Sequence, residues 1–151
     1  MAAGTYTFYN QFKRFALDGT IDINTTALDL HLFMSASDYA TVTQSTLSQL
    51  SGEVTGINGY SKSGKQLVET WSTGASASEM RLDATALIWT ASGGNIANVR
   101  AAVLVARTGA SGKDGANKLV AYATLSTAQF TVTTGNTLTH TPSANGIFEL
   151  N

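Results

Sequence analysis

The stretch Arg100-Ala101-Ala102-Val103-Leu104-Val105-Ala106-Arg107 sets six apolar residues between two cations. A run this short and β-branched is too short for an ordinary helix and suits a strand buried on both faces. The flanking arginines reach solvent or pair with carboxylates at a sheet edge. A second apolar run, Leu119-Val120-Ala121-Tyr122-Ala123-Thr124-Leu125, follows the Gly-containing loop Thr108 to Asn117. Two apolar strands joined by such a loop predict a long hairpin, and we take it as the centre of the fold. No cluster of acids, histidines or nucleophiles adjoins it, so the stretch speaks for architecture before chemistry.

Upstream, Ala27 to Met34 alternates Leu28, Leu30, Leu32 and Met34 with Asp29, His31 and Phe33, the pattern of a half-buried strand. Nearer the start, Tyr6, Tyr9, Phe12 and Phe15 recur at helical spacing, which predicts a helix from Tyr6 to Leu17, stopped at Asp18-Gly19. Its stripe lies across the sheet or meets a neighbouring subunit. Ser35 to Gln49 reads as a loop with one helical turn near Thr46 to Leu50, and the glycines at 52, 56, 59 and 64 mark a turn-rich connection. Further strands are predicted at Leu67 to Ser72, Glu79 to Leu82, Ala86 to Thr90, Phe130 to Thr133, Thr137 to Thr141 and Ile147 to Leu150. The Phe130 and Thr137 strands flank a Gly135-Asn136 turn. Eight or nine short strands with one helix at the start predict an all-β fold, a sandwich or jelly roll, as a single domain over residues 1–151 with residues 1–20 as an N-terminal arm.

Charged residues make up 13% of the 151, about half the usual share, and Ser, Thr, Ala and Gly take their place. A neutral, hydroxyl-rich surface resists self-association poorly and suits a protein covered in a permanent assembly, or is simply how Ser/Thr-rich β-proteins look. The net charge of −1, with scattered cations, offers no field for phosphates, so no nucleic-acid partner is expected. No stretch has the length of a membrane helix, so no membrane partner is expected. Lys13-Arg14 interrupts any signal-peptide core, so secretion by that route is not expected. The absence of cysteine removes disulfides and thiolate metal sites.

Gly59-Tyr60-Ser61-Lys62-Ser63-Gly64-Lys65-Gln66 approaches a phosphate-binding P-loop but has Gln66 where Ser or Thr must hold magnesium. A strand follows it instead of a helix, so no helix N-terminus faces a phosphate. His31 and His140, the only histidines, lie in strand patterns without a G-x-S-x-G elbow. Asp18-Gly19-Thr20-Ile21-Asp22 lacks the ligand series of a calcium loop and reads as a turn. No catalytic residue, cofactor or metal site is assigned, and the expected protein is not an enzyme. Trp71, Trp89, Tyr39 and Tyr60 are the residues from which a sugar-stacking platform would be built, with Trp89 in a core-like strand.

Several stretches together resemble a family of small structural proteins of tailed-phage virions. They are the aromatic N-terminal segment, Asp18 to Asp22, Leu28-Asp29-Leu30-His31-Leu32, Glu53-Val54-Thr55-Gly56 leading to Gly59 through Leu67, Leu87-Ile88-Trp89-Thr90-Ala91-Ser92, the paired apolar strands and Gly146-Ile147-Phe148. Their order and spacing match over nearly the whole chain. Ser63 stands where the family pattern has the first of two glycines. The resemblance implies a β-sandwich in the virion, made in the bacterial host cytoplasm. It implies a capsid decoration (cement) protein bound outside the head, with the major capsid protein as partner and a homo-oligomer, a trimer, as its own state. A tail, neck or fibre component and a module binding host glycan are the alternatives. Contact residues are expected at the ends and loops: the Tyr6 to Leu17 segment with Tyr6, Tyr9 and Phe12, the Tyr39 to Gln49 loop with Tyr39, Trp71, and the Thr108 to Lys118 loop with Lys113 and Lys118.

Overall fold

The computed structural model describes residues 5–74, 79–110, 112, 114–143 and 146–150. The fold is all-β. Eleven strands and one short helix are found among the described residues. In chain order they are β1 (Thr7–Phe8), α1 (Phe12–Leu17), β2 (Leu28–Met34), β3 (Lys65–Gln66), β4 (Glu69–Thr73), β5 (Met80–Ala84), β6 (Leu87–Thr90), β7 (Ile96–Ala106), β8 (Lys118–Thr124), β9 (Phe130–Val132), β10 (Thr137–His140) and β11 (Phe148–Leu150).

The predicted hairpin is the centre. β7 pairs antiparallel with β8, and the sheet continues β1-β8-β7-β2-β3, with β9 on the first part of β7. β7 is longer than the apolar run, because Ile96 and Val99 carry it back to its pairing with β9. A bulge between Leu104 and Val105 puts Val120 and Ala121 on one face of β8 together. Two smaller sheets, β11-β5-β4 and β10-β6, supply the second layer. One core joins Leu30, Leu32, Ala102, Leu104 and Val120 of the large sheet to Leu82, Leu87, Trp89, Leu138 and Phe148 of the small ones.

The other face of the large sheet is also covered. Phe33, Val103, Val105 and Leu119 pack with Tyr9, Tyr39, Leu47 and Leu50. The cover is the segment predicted as a loop, which is held down rather than free. Leu47 N–H bonds to Asn117 C=O and Leu119 N–H to Ser45 C=O. The predicted helical turn is a 3₁₀ turn at Leu47–Gln49. Gln49 Oε1 accepts from the N–H groups of Ser45 (2.8 Å) and Thr46 (3.0 Å). β2 is therefore buried on both faces and not half-buried. Its alternation reflects two cores of different chemistry.

Two further readings are corrected. The helix is confined to Phe12–Leu17, because Tyr6 to Tyr9 are strand formers that extend along β8. Leu67 to Ser72 is not one strand. Leu67 is buried and its N–H bonds to Leu28 C=O, after which the chain crosses from the large sheet into β4. The two strands expected on either side of the Gly135-Asn136 turn are β9 and β10, and each joins a different sheet, β9 on β7 and β10 on β6. The turn between them is tied to Ala91, whose N–H bonds to Asn136 C=O and whose C=O accepts from Gly135.

Candidate interaction surface

Helix α1 buries one stripe. Phe12 is buried, and its ring stacks on Phe8 (5.3 Å between centroids) and meets Phe148 edge-on (6.1 Å). Phe15 lies one turn on, under Lys118 Nζ at 5.5 Å from the ring centre. At 100° per residue Leu17 falls well outside that stripe, and it is 89% exposed. With Phe12, Lys13, Ala16 and Ile23 it lines a nearly wholly apolar hollow. A second hollow shares Ala16 and Ile23 and runs on to Ile21, Asp22, Asn24 and Trp71. The two hollows adjoin at Ala16 and Ile23; the first is apolar apart from Lys13, and the second is mixed, with Asp22 and Asn24 beside Ile21 and Trp71.

Trp71 is the outer member of a row. It pairs with Leu82, which pairs with Phe148, so all three share the inner face of the small sheet. Trp71 meets Phe148 edge-on at 6.1 Å and, on the edge strand, stays 36% exposed.

The other expected contact residues are placed differently. Tyr6, Tyr9 and Tyr39 are buried in the chain itself. Tyr6 Oη lies 2.7 Å from His140 Nε2, and Tyr9 Oη donates to the Tyr39 carbonyl. Burial raises the pKa of both the Tyr6 and Tyr9 hydroxyls, so they act as neutral hydrogen-bonding groups. These rings fasten the N-terminal segment and the covering loop to their own sheet. Their side chains present no free surface. Phe12 is buried and is one of the residues that line the apolar hollow. Lys118 is half-buried against Phe15, and Lys113 lies outside the described residues. The Tyr39 to Gln49 segment offers Thr41, Thr43, Ser48 and Gln49 to solvent.

The groups of possible chemical interest are sealed. His31 Nδ1 lies 2.8 Å from Glu53 Oε1, which also accepts from Tyr60 Oη at 2.8 Å. Tyr60 Oη accepts in turn from Leu32 N–H. The three side chains are buried, and a Cβ on Gly64 would lie 2.5 Å from His31 Nε2. The near-P-loop is thus a turn folded over a histidine. Gly59 and Gly64 take positive φ, whereas Ser63 keeps an ordinary one, so the loop accommodates serine there. Asp29 is buried and held in a two-pronged pair by Arg107, one of the two flanking arginines. Asp18 is a turn acceptor: its carboxylate takes Thr20 N–H at 3.0 Å, and hydrogen bonding from the Thr20 side chain and then from this N–H lowers its pKa.

Trp89, Tyr39 and Tyr60 are buried, so these three and Trp71 do not form a common sugar-stacking platform. Among the described residues no group of three His, Cys, Asp or Glu side chains is placed to hold a metal. No described helix is long and apolar enough to cross a membrane. Leu17 falls within the Tyr6 to Leu17 segment expected to make contacts, but neither it nor the hollow beside it was named individually from sequence. The signal was there, an apolar residue set on the same side of the helix as Lys13 and Arg14. No family model, curated protein or solved structure matches the chain.

Proposed function

We propose that the chain is a non-enzymatic structural protein of a tailed-phage virion. Its work is decoration of the head: it sits outside the shell, on the major capsid protein, and stabilises contacts between capsid subunits. Binding only the assembled shell would raise the energy needed to open it. The reading starts from the sequence resemblance. The observation that supports it best is the apolar hollow along α1, centred on Leu17, in a chain poor in charge overall. Such a surface fits permanent burial against another protein. The buried His31, Glu53 and Tyr60 cluster has no opening for a substrate and acts as structural support for the Gly64 turn.

The test is attachment. Particles lacking the chain are incubated with wild-type protein or with Leu17→Glu, and bound protein is measured after sedimentation. Leu17 is largely solvated, so the substitution leaves folding stability within about 0.5 kcal/mol. Attachment is expected to weaken at least tenfold. Undiminished attachment of a folded Leu17→Glu protein removes α1 as the docking face.

A further inference from the structure

We propose that the free edge of β4 is a self-pairing surface, through which two copies of this chain join their β11-β5-β4 sheets across a two-fold axis. The argument begins with which backbone groups are used. Thr85 N–H bonds to Val68 C=O, and Gly74 N–H bonds to Glu79 C=O. Both pairs continue the β4–β5 register, so the ladder bonds fall on the even-numbered residues of β4. The N–H and C=O groups of Glu69, Trp71 and Thr73 therefore point away from β5. No backbone hydrogen bond joins them to another described residue.

This edge lacks the usual protection. β4 reads Glu69-Thr70-Trp71-Ser72-Thr73, with no lysine, no proline and no bulge in its pairing. Its one charge does not guard it. Glu69 turns inward, where its Oε1 accepts from Leu28 N–H at 3.2 Å, and desolvation there raises its pKa. Apolar surface flanks the edge as well: Val68 is 61% exposed, and Met80, paired with Thr73, is also exposed.

The occupant is a second copy because the edge complements itself. With the axis at Trp71, each Trp71 opposes its counterpart and each Glu69 opposes Thr73, so no like charges meet. The three outward residues of each copy form three pairs that exchange two bonds apiece. The two indoles lie side by side and cover each other's exposed edges. A net charge of −1 gives little repulsion between copies. The inference concerns the isolated chain and does not rest on the virion reading.

The test is sedimentation velocity on the full chain from about 1 µM to about 1 mM, beside Thr73→Pro and Thr73→Glu. Proline at Thr73 removes an outward N–H and no bond to β5. Glutamate there places an unpaired carboxylate in the seam, which must be desolvated when the edges join. The wild type is expected to form a concentration-dependent dimer, and each variant to weaken it at least tenfold with an unchanged circular dichroism spectrum. The amides of Glu69, Trp71 and Thr73 are expected to gain exchange protection as the dimer forms. A wild-type chain monomeric throughout the range overturns the proposal. So does a dimer that Thr73→Glu leaves unchanged.

Discussion

Gly64 and His31 show how far one residue constrains another. Gly64 takes φ +72° and presses on the His31 ring, so alanine there meets both a left-handed backbone and a steric clash. Gly19 has φ +77° with open space around it. Gly64→Ala is expected to cost about 3 kcal/mol in urea unfolding and Gly19→Ala about 1 kcal/mol. Equal costs would show that the ring yields. His140 gives a pH dependence. Burial pushes its pKa down to about 4 from an ordinary 6.5, so the folded state holds the neutral ring. Between these values the unfolded chain binds the extra proton, and stability falls as pH drops from about 6.5 to about 4, by about 3 kcal/mol from this group. His140→Gln keeps a partner for Tyr6 and is expected to flatten that part of the stability curve. The sequence placed His31 on a strand, where it could be solvated or hydrogen-bonded. It did not single out Glu53 from ten acidic residues, because that pairing depends on how the Gly-rich turns fold back over β2.

At the scale of elements, the β7–β8 hairpin, the 3₁₀ turn and most strands were legible, because each rests on its own local pattern. The misreadings share a cause. Leu67 to Ser72 alternates like one strand, yet the buried Leu67 ends one sheet's contact and Glu69 begins another's. Local pattern identifies an extended segment but not the neighbour it pairs with. The same holds for β9 and β10, which are adjacent in sequence and belong to different sheets. The covering segment over Phe33 and Val103 was hidden by its polar composition; only Tyr39, Leu47 and Leu50 turn inward. Its stability is set by Gln49, which accepts from two backbone N–H groups. Gln49→Ala is expected to cost about 1–2 kcal/mol in thermal or urea unfolding and to speed amide exchange first at Leu47 and Leu119. Exchange that quickens uniformly over the chain would contradict a locally fastened cover.

For the whole molecule, the apolar residues of the large sheet are spent on two cores, while the outer surface remains hydroxyl-rich and weakly charged. Among the described residues, the apolar features outside that arrangement include the α1 hollow around Leu17 and the open edge at Trp71. Of the candidate contacts named from sequence, the tyrosines serve the chain's own packing and Trp71 keeps an exposed edge. Residue type pointed to aromatics, but exposure depends on tertiary packing that residue type does not reveal. The functional account turns on where the protein resides and in what number. The most direct measurement is its copy number in purified particles, by quantitative protein staining against the major capsid protein. The account predicts a head-coat stoichiometry, on the order of one copy per capsid subunit. A few copies per hundred subunits would place it in the tail or neck, and absence from purified particles would contradict the virion reading altogether.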